Sequence, residues 1–142
     1  MKFALLLIAT LLSPFTLAKD YYVGDISGET IMADFKKFKK HADDVDYSAE
    51  QLASLQSVED KIEIKVFFGQ WCHDSQREVP RLIQLFDRLE KDNFSVSYYA
   101  LDTKKSDPEG LAKQHRIKRT PTVIVFKDGK ELARVLEFPQ TD

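Results

Sequence analysis

Sulfur is scarce in this sequence: 142 residues carry one cysteine, Cys72, and two methionines. A single cysteine excludes an internal disulfide. Metal-ligating sets are missing too. His41, His73 and His115 lie far apart in the chain, and no second cysteine joins them, so the ligand spacing of a structural zinc site does not occur. Positive charge is not in excess. The net charge of −2 argues against nucleic-acid binding, which normally needs a basic patch or stripe. Beyond the first residues no apolar run is long enough to span a bilayer. Internal repeats and low-complexity stretches are absent. What remains is an ordinary globular composition, 43% hydrophobic, at a length suited to one domain.

The first eighteen residues read as a targeting segment. Lys2 is a minimal positive start, Phe3 to Leu12 is apolar, Ser13-Pro14 breaks the run, and Thr16-Leu17-Ala18 ends on small residues. Cleavage is expected after Ala18, which leaves no stable membrane anchor and places the protein in a periplasm or outside the cell. Small exported domains often use cysteines in pairs. A lone cysteine there means an intermolecular partner or a free reactive thiol.

Along the expected mature chain, Tyr21-Tyr22-Val23 suggests a short edge strand, and Gly28 punctuates. Ile31, Phe35 and Phe38 recur at helical spacing, which predicts one amphipathic helix over Glu29 to His41. Its lysines (Lys36, Lys37, Lys39 and Lys40) form a solvated face, since Asp43, Asp44 and Asp46 follow and cancel them. Asp43 to Tyr47 is a loop. Ser48 and Gln51 fit a capping box that opens a short helix to about Gln56, burying Leu52 and Leu55. Ile62 to Phe68 alternates and then turns wholly apolar, as a strand covered on both faces does. Gln76 to Lys91 has a core-facing stripe of Val79, Leu82, Ile83, Phe86 and Leu89, with Pro80 expected to kink it. Phe94 to Leu101 is a second strand, and Pro108 to Gln114 a short helix. Thr122 to Phe126 and Glu131 to Glu137 form a hairpin around Asp128-Gly129. A strand, a crossover helix and a strand imply a parallel pair. The hairpin adds an antiparallel one. The fold class is therefore α/β, a mixed sheet with helices on both faces.

The organising stretch is Phe67 to Ser75, with Cys72 between a buried strand and a helix. Unpaired N–H groups at a helix start and the helix dipole favour an anion there, and hence a thiolate. A free cysteine can equally be a small apolar packing residue. Trp71 beside it and its place at a helix opening point to chemistry.

Between Lys61 and Glu137 the apolar strand leads to Trp71-Cys72-His73-Asp74-Ser75, Pro80 stands eight residues after the cysteine, Thr120-Pro121-Thr122 precedes a strand, and Phe126-Lys127-Asp128-Gly129 follows. On these features, in this order, the stretch resembles the thioredoxin superfamily. The Trp-Cys-X-Asp-Ser form is similar to a group of exported bacterial thioredoxin-like proteins with an added N-terminal helical segment. The resemblance implies a three-layer sandwich over residues 60–142 and a helical extension over residues 19–59. It also implies a cis Pro121 facing the cysteine, a Thr120 backbone that pairs with an extended client, and Trp71 as a flat apolar wall. Departures accompany it. Ser75 stands where dithiol relatives have a second cysteine, Val66 stands where they have a buried acid, and no C-terminal helix follows the hairpin.

The chemistry left is monothiol exchange. Cys72 as thiolate attacks a disulfide and forms a mixed disulfide. Ser75, three residues on, can donate to the sulfur or satisfy the helix start, but it cannot resolve the adduct. Resolution needs another thiol: a client cysteine, glutathione or a redox partner protein. A protonated His73 favours the thiolate and an ionised Asp74 opposes it. The expected site is Cys72 and Ser75 as catalytic residues, the cysteine as nucleophile and the serine as a hydrogen-bond donor to it, with Trp71, His73, Thr120 and Pro121 facing the client and no metal or bound cofactor. The expected partners are proteins with disulfides or thiols. The other reading is a non-catalytic module that keeps the groove and holds extended client segments.

Overall fold

The computed structural model describes residues 20–42, 46–89 and 91–137. The expected targeting segment, much of the Asp43–Tyr47 loop and the tail from residue 138 lie outside the described residues. Among the described residues ten elements follow in order: β1 (Gly24–Ile26), α1 (Gly28–Asp34), α2 (Lys36–Lys39), α3 (Ala49–Gln56), β2 (Ile62–Phe68), α4 (His73–Leu89), β3 (Phe94–Ala100), α5 (Leu111–Gln114), β4 (Thr122–Lys127) and β5 (Lys130–Leu136). The five strands make one mixed sheet in the order β1-β3-β2-β4-β5. β2 runs parallel to β3 and antiparallel to β4, while the two edge strands pair antiparallel. No helix among the described residues is long and apolar enough to cross a membrane.

β2 sits in the middle, and its alternation sorts its side chains between two cores. Ile64, Val66 and Phe68 face α1, α2 and α4, where they pack with Ile31, Phe35, Phe38, Val79 and Ile83. Phe67 points to the opposite face and packs with Leu101, Ala112, Ile117, Ile124 and Phe126 around α5. Val66, Phe67 and Phe68 are completely buried, which is why the strand loses its polar alternation toward its end. His115 sits against the rings of Phe67 and Phe126. Burial, then the nearby Lys65, push its pKa below the usual histidine value.

Several expected elements shift. The edge strand is Gly24–Ile26, three residues later than Tyr21–Val23. Its inward residues Gly24 and Ile26 are buried, whereas Tyr22 is exposed. The single helix expected over Glu29–His41 is two helices, broken at Phe35, whose φ of −95° and ψ of 87° are not helical. The break lets Phe35 join Phe38 and Phe68 in an aromatic cluster with ring centroids 5.4 to 6.5 Å apart. Gly28 opens α1, because the Ser27 hydroxyl caps it by accepting from Thr30 N at 3.0 Å.

The capping box of Ser48 and Gln51 is present in full. Leu52 and Leu55, expected to be buried, are only half-buried, and α3 has no buried residue. It is tied to the body at both ends: before it the Tyr47 hydroxyl donates to Arg81 O at 2.7 Å, and at its end Lys91 Nζ donates to Gln56 O. α4 begins at His73, three residues earlier than periodicity suggested, and continues through a fully buried Pro80 to Leu89. α5 is only four residues long. Pro108 and Glu109 form a turn before it, and the Asp107 carboxylate accepts from the N–H groups of Leu111 and Ala112 at 2.9 and 2.7 Å. The hairpin turn has positive φ at both Asp128 and Gly129, the pairing that matches the twist of its strands. Among the described residues no helix follows β5.

Phe38 ties the N-terminal segment to the central strand and is completely buried. Replacing it with alanine is expected to cost about 3–5 kcal/mol, as emptying a buried aromatic site does. The loss should appear in one cooperative denaturant transition of the whole chain. A transition confined to the N-terminal helices would show that they are a separate unit.

Candidate active site

The loop from β2 to α4 is built around backbone bonds. Cys72 N donates to Gly69 O at 2.9 Å, and Gln76 N donates to Cys72 O at 3.0 Å. Cys72 therefore stands at the opening of α4, with helical N–H groups starting beyond it. Gln70 braces the loop. Its backbone carbonyl accepts from Gln76 Nε2 and its side-chain oxygen accepts from Tyr22 N, both at 2.9 Å. Thus the N-terminal segment helps to hold the loop.

The Cys72 sulfur is half-buried and free of any disulfide. Its thiol donates to Thr120 O at 3.1 Å. The Thr120–Pro121 peptide bond is cis. Thr120 and Pro121 are both buried, and the Thr122 hydroxyl steadies the turn by donating to Arg119 O at 2.8 Å. Residues 72 and 120 are thereby brought together across 48 positions of sequence.

Ser75 is completely buried, and its hydroxyl oxygen accepts from Gly69 N at 3.1 Å. No hydrogen bond joins it to Cys72 among the described residues, so in this state it secures the loop. His73 is exposed at the first helical position. Asp74 pairs with Arg77 at 3.0 Å, so its charge is offset beside the cysteine. Arg77 is held protonated still more firmly than usual, chiefly by its hydrogen bond to Glu78. Val66 lies completely buried below the loop, with no charge.

Trp71 forms one wall. Its indole N–H donates to Leu101 O at 3.1 Å, and its ring lies directly on Gly69. A Cβ built on Gly69 would come within 2.6 Å of the indole, a distance real contacts do not reach. The Lys105 ammonium sits 5.6 Å from the ring centroid on this wall. The sequence motifs single out neither Gly69 nor Lys105. A small residue two positions before a tryptophan was a readable signal for the first. Nothing local signalled the second, because the loop after β3 delivers it from 34 positions away. Among the described residues no group of three or more histidine, cysteine, aspartate or glutamate side chains is placed to hold a metal ion.

With this geometry in view, comparison with known proteins is direct. A family model described as Thioredoxin matches residues 27–141. The chain belongs to the thioredoxin family. It is 32% identical to a thioredoxin of Echinococcus granulosus over 77 residues, covering 54% of this chain and 66% of that one. It is 33% identical to a thioredoxin of Chlamydia caviae over 76 residues, covering 54% and 69%. A crystal structure of a protein of unknown function from Pseudomonas aeruginosa superposes with a TM-score of 0.56 at 20% identity, covering 78% of this chain and 66% of that one. The chain thus spans somewhat less than two thirds of the Echinococcus and Pseudomonas proteins.

Gly69→Ala is expected to force the indole off the loop and break its bond to Leu101 O. Since Trp71 is the sole tryptophan, its emission should shift to the red, with a stability loss of about 1–3 kcal/mol as overpacking incurs. Unchanged emission would mean that the indole does not rest on Gly69 in solution.

Proposed function

We propose that this protein performs monothiol thiol–disulfide exchange at Cys72. The observation that carries the reading is the placement of the only sulfur nucleophile at the head of α4, 3.1 Å from the Thr120 carbonyl, with a serine at the fourth position of the motif. The Cys72 thiol gives its proton to solvent, and the thiolate attacks one sulfur of a client disulfide. One sulfur–sulfur bond forms to Cys72 and the client bond breaks. The departing client sulfur takes up a proton. Ser75 cannot complete a second exchange, so an external thiol does so. If that thiol is glutathione, two glutathiones are oxidised for each client disulfide reduced. If it is another client cysteine, the disulfide is moved with no net redox change.

The partners are accordingly proteins with disulfides or thiols, recycled by a small thiol or a redox partner protein. The signal-like residues 1–18 support work in a periplasm or outside the cell, where disulfides are common. Trp71, exposed His73 and the Thr120–Pro121 turn border the sulfur and provide the surface against which an extended client segment would lie.

The reading predicts reduction of insulin disulfides when glutathione is supplied, at a rate above glutathione alone. Cys72→Ala should remove all of that excess, whereas Ser75→Ala should keep it within about threefold, since the serine hydroxyl takes no bond-making step. Absence of any excess with the unaltered protein would overturn the catalytic reading and leave the groove as a holding site for clients.

A further inference from the structure

Beside the loop after β3 the charge distribution is one-sided. A pocket of about 460 Å³ opens beside the loop after β3, lined by Lys105, Lys113, Arg116 and Lys118 with a single acid, Asp107. The Asp107 carboxylate is already engaged with two backbone N–H groups of α5. None of the four cations makes an ion pair among the described residues, although Arg77, Arg81, Arg119, Lys127 and Arg134 all do. The protein as a whole is net negative, so this cluster is a local inversion of its charge.

Local structure sets the backbone beneath two of the cations. Asp102 Oδ1 accepts from Lys104 N and Ser106 N, each at 2.8 Å, and this closed turn carries Lys105 at a φ of 61°. Arg116 also sits in the left-handed region, at a φ of 55°. Two of its cations tie the pocket to the surroundings of the Cys72 sulfur. Lys105 leans on Trp71, the neighbour of Cys72, and Lys118 lies two residues before the Thr120 carbonyl that meets Cys72.

We infer that this basic pocket is a client-recognition site that takes acidic residues of a peptide segment flanking the client's reacting cysteine. The inference deepens the exchange reading by naming its client class. Four clustered cations, none in an ion pair among the described residues and one of them resting on Trp71, favour a negatively charged segment over a neutral one, and more so at low ionic strength.

A binding measurement that needs no turnover tests it separately from catalysis. Full-length protein carrying Cys72→Ser is titrated into fluorophore-labelled peptides with one serine at the cysteine position, flanked by either glutamates or glutamines, and anisotropy is read. The expected result is binding of the glutamate peptide about tenfold tighter at low salt. The preference should shrink toward none at high salt. It should also vanish when Lys105→Gln, Lys113→Gln, Arg116→Gln and Lys118→Gln are combined, with the circular dichroism melt checked for folding. If that variant does not fold, Lys113→Gln and Lys118→Gln, both at exposed positions, should reduce the preference together. Equal binding of the two peptides, no binding of the glutamate peptide, or a preference that survives the charge changes would overturn the proposal. So would displacement of the glutamate peptide by inorganic phosphate beyond that caused by chloride at equal ionic strength, which would mark a small-anion site instead.

Discussion

Burial of β2 on both faces is the constraint on which the rest depends. A strand can lose its polar face only if something covers each side, and here Val66, Phe67 and Phe68 are sealed by two separate cores. One core needs the N-terminal helices as well as α4. The other needs the loop after β3 and α5. Parallel pairing to β3 and antiparallel pairing to β4 then satisfy the strand's backbone groups on each side. The strand is fixed in all directions at the point where it stops, and the next four residues inherit that position.

The position of the Cys72 sulfur is a consequence of that placement. Gly69 allows the indole to lie flat, and Gln70 is braced from the N-terminal segment. Ser75 pins the loop from below, and Cys72 opens the helix. The parallel neighbour β3 leads into the loop that brings Lys105 to Trp71. The antiparallel neighbour β4 is entered through the Thr120–Pro121 turn that meets the sulfur. A cysteine, an aromatic wall, a backbone carbonyl and a basic rim thus converge at one end of the sheet. What is missing there matters equally. With serine at position 75 and valine at position 66, neither position offers the cysteine a second thiol or a buried acid, and the proposed exchange has to borrow a thiol from outside.

Most of the framework was legible because it was periodic or carried turn chemistry. The strand at Ile62–Phe68, the stripe of α4, the Ser48–Gln51 box and the Asp128-Gly129 hairpin each follow from a local rule, and each is present. The failures were places where tertiary packing outweighed the local pattern. Phe35 fits a helical period in sequence, yet it leaves helical geometry to reach the aromatic cluster. The Leu52–Leu55 stripe looks like a core face, but α3 sits at the margin, where nothing covers it fully. Pro108 suits an early helical position, but the Asp107 side chain sets the start of α5 three residues later. In the site, Cys72, Trp71 and the Thr120–Pro121 turn were readable from motif order, while Lys105 and the engagement of Ser75 with Gly69 required the fold.

The central claim is that Cys72 forms a mixed disulfide that this chain cannot resolve alone. The direct measurement is intact mass of the reduced protein after exposure to a disulfide-linked peptide, with no other thiol added. The account predicts a one-to-one peptide adduct on Cys72 that persists, then disappears when glutathione is added, with release of the peptide. No adduct at Cys72, or an adduct that clears without an added thiol, would contradict it.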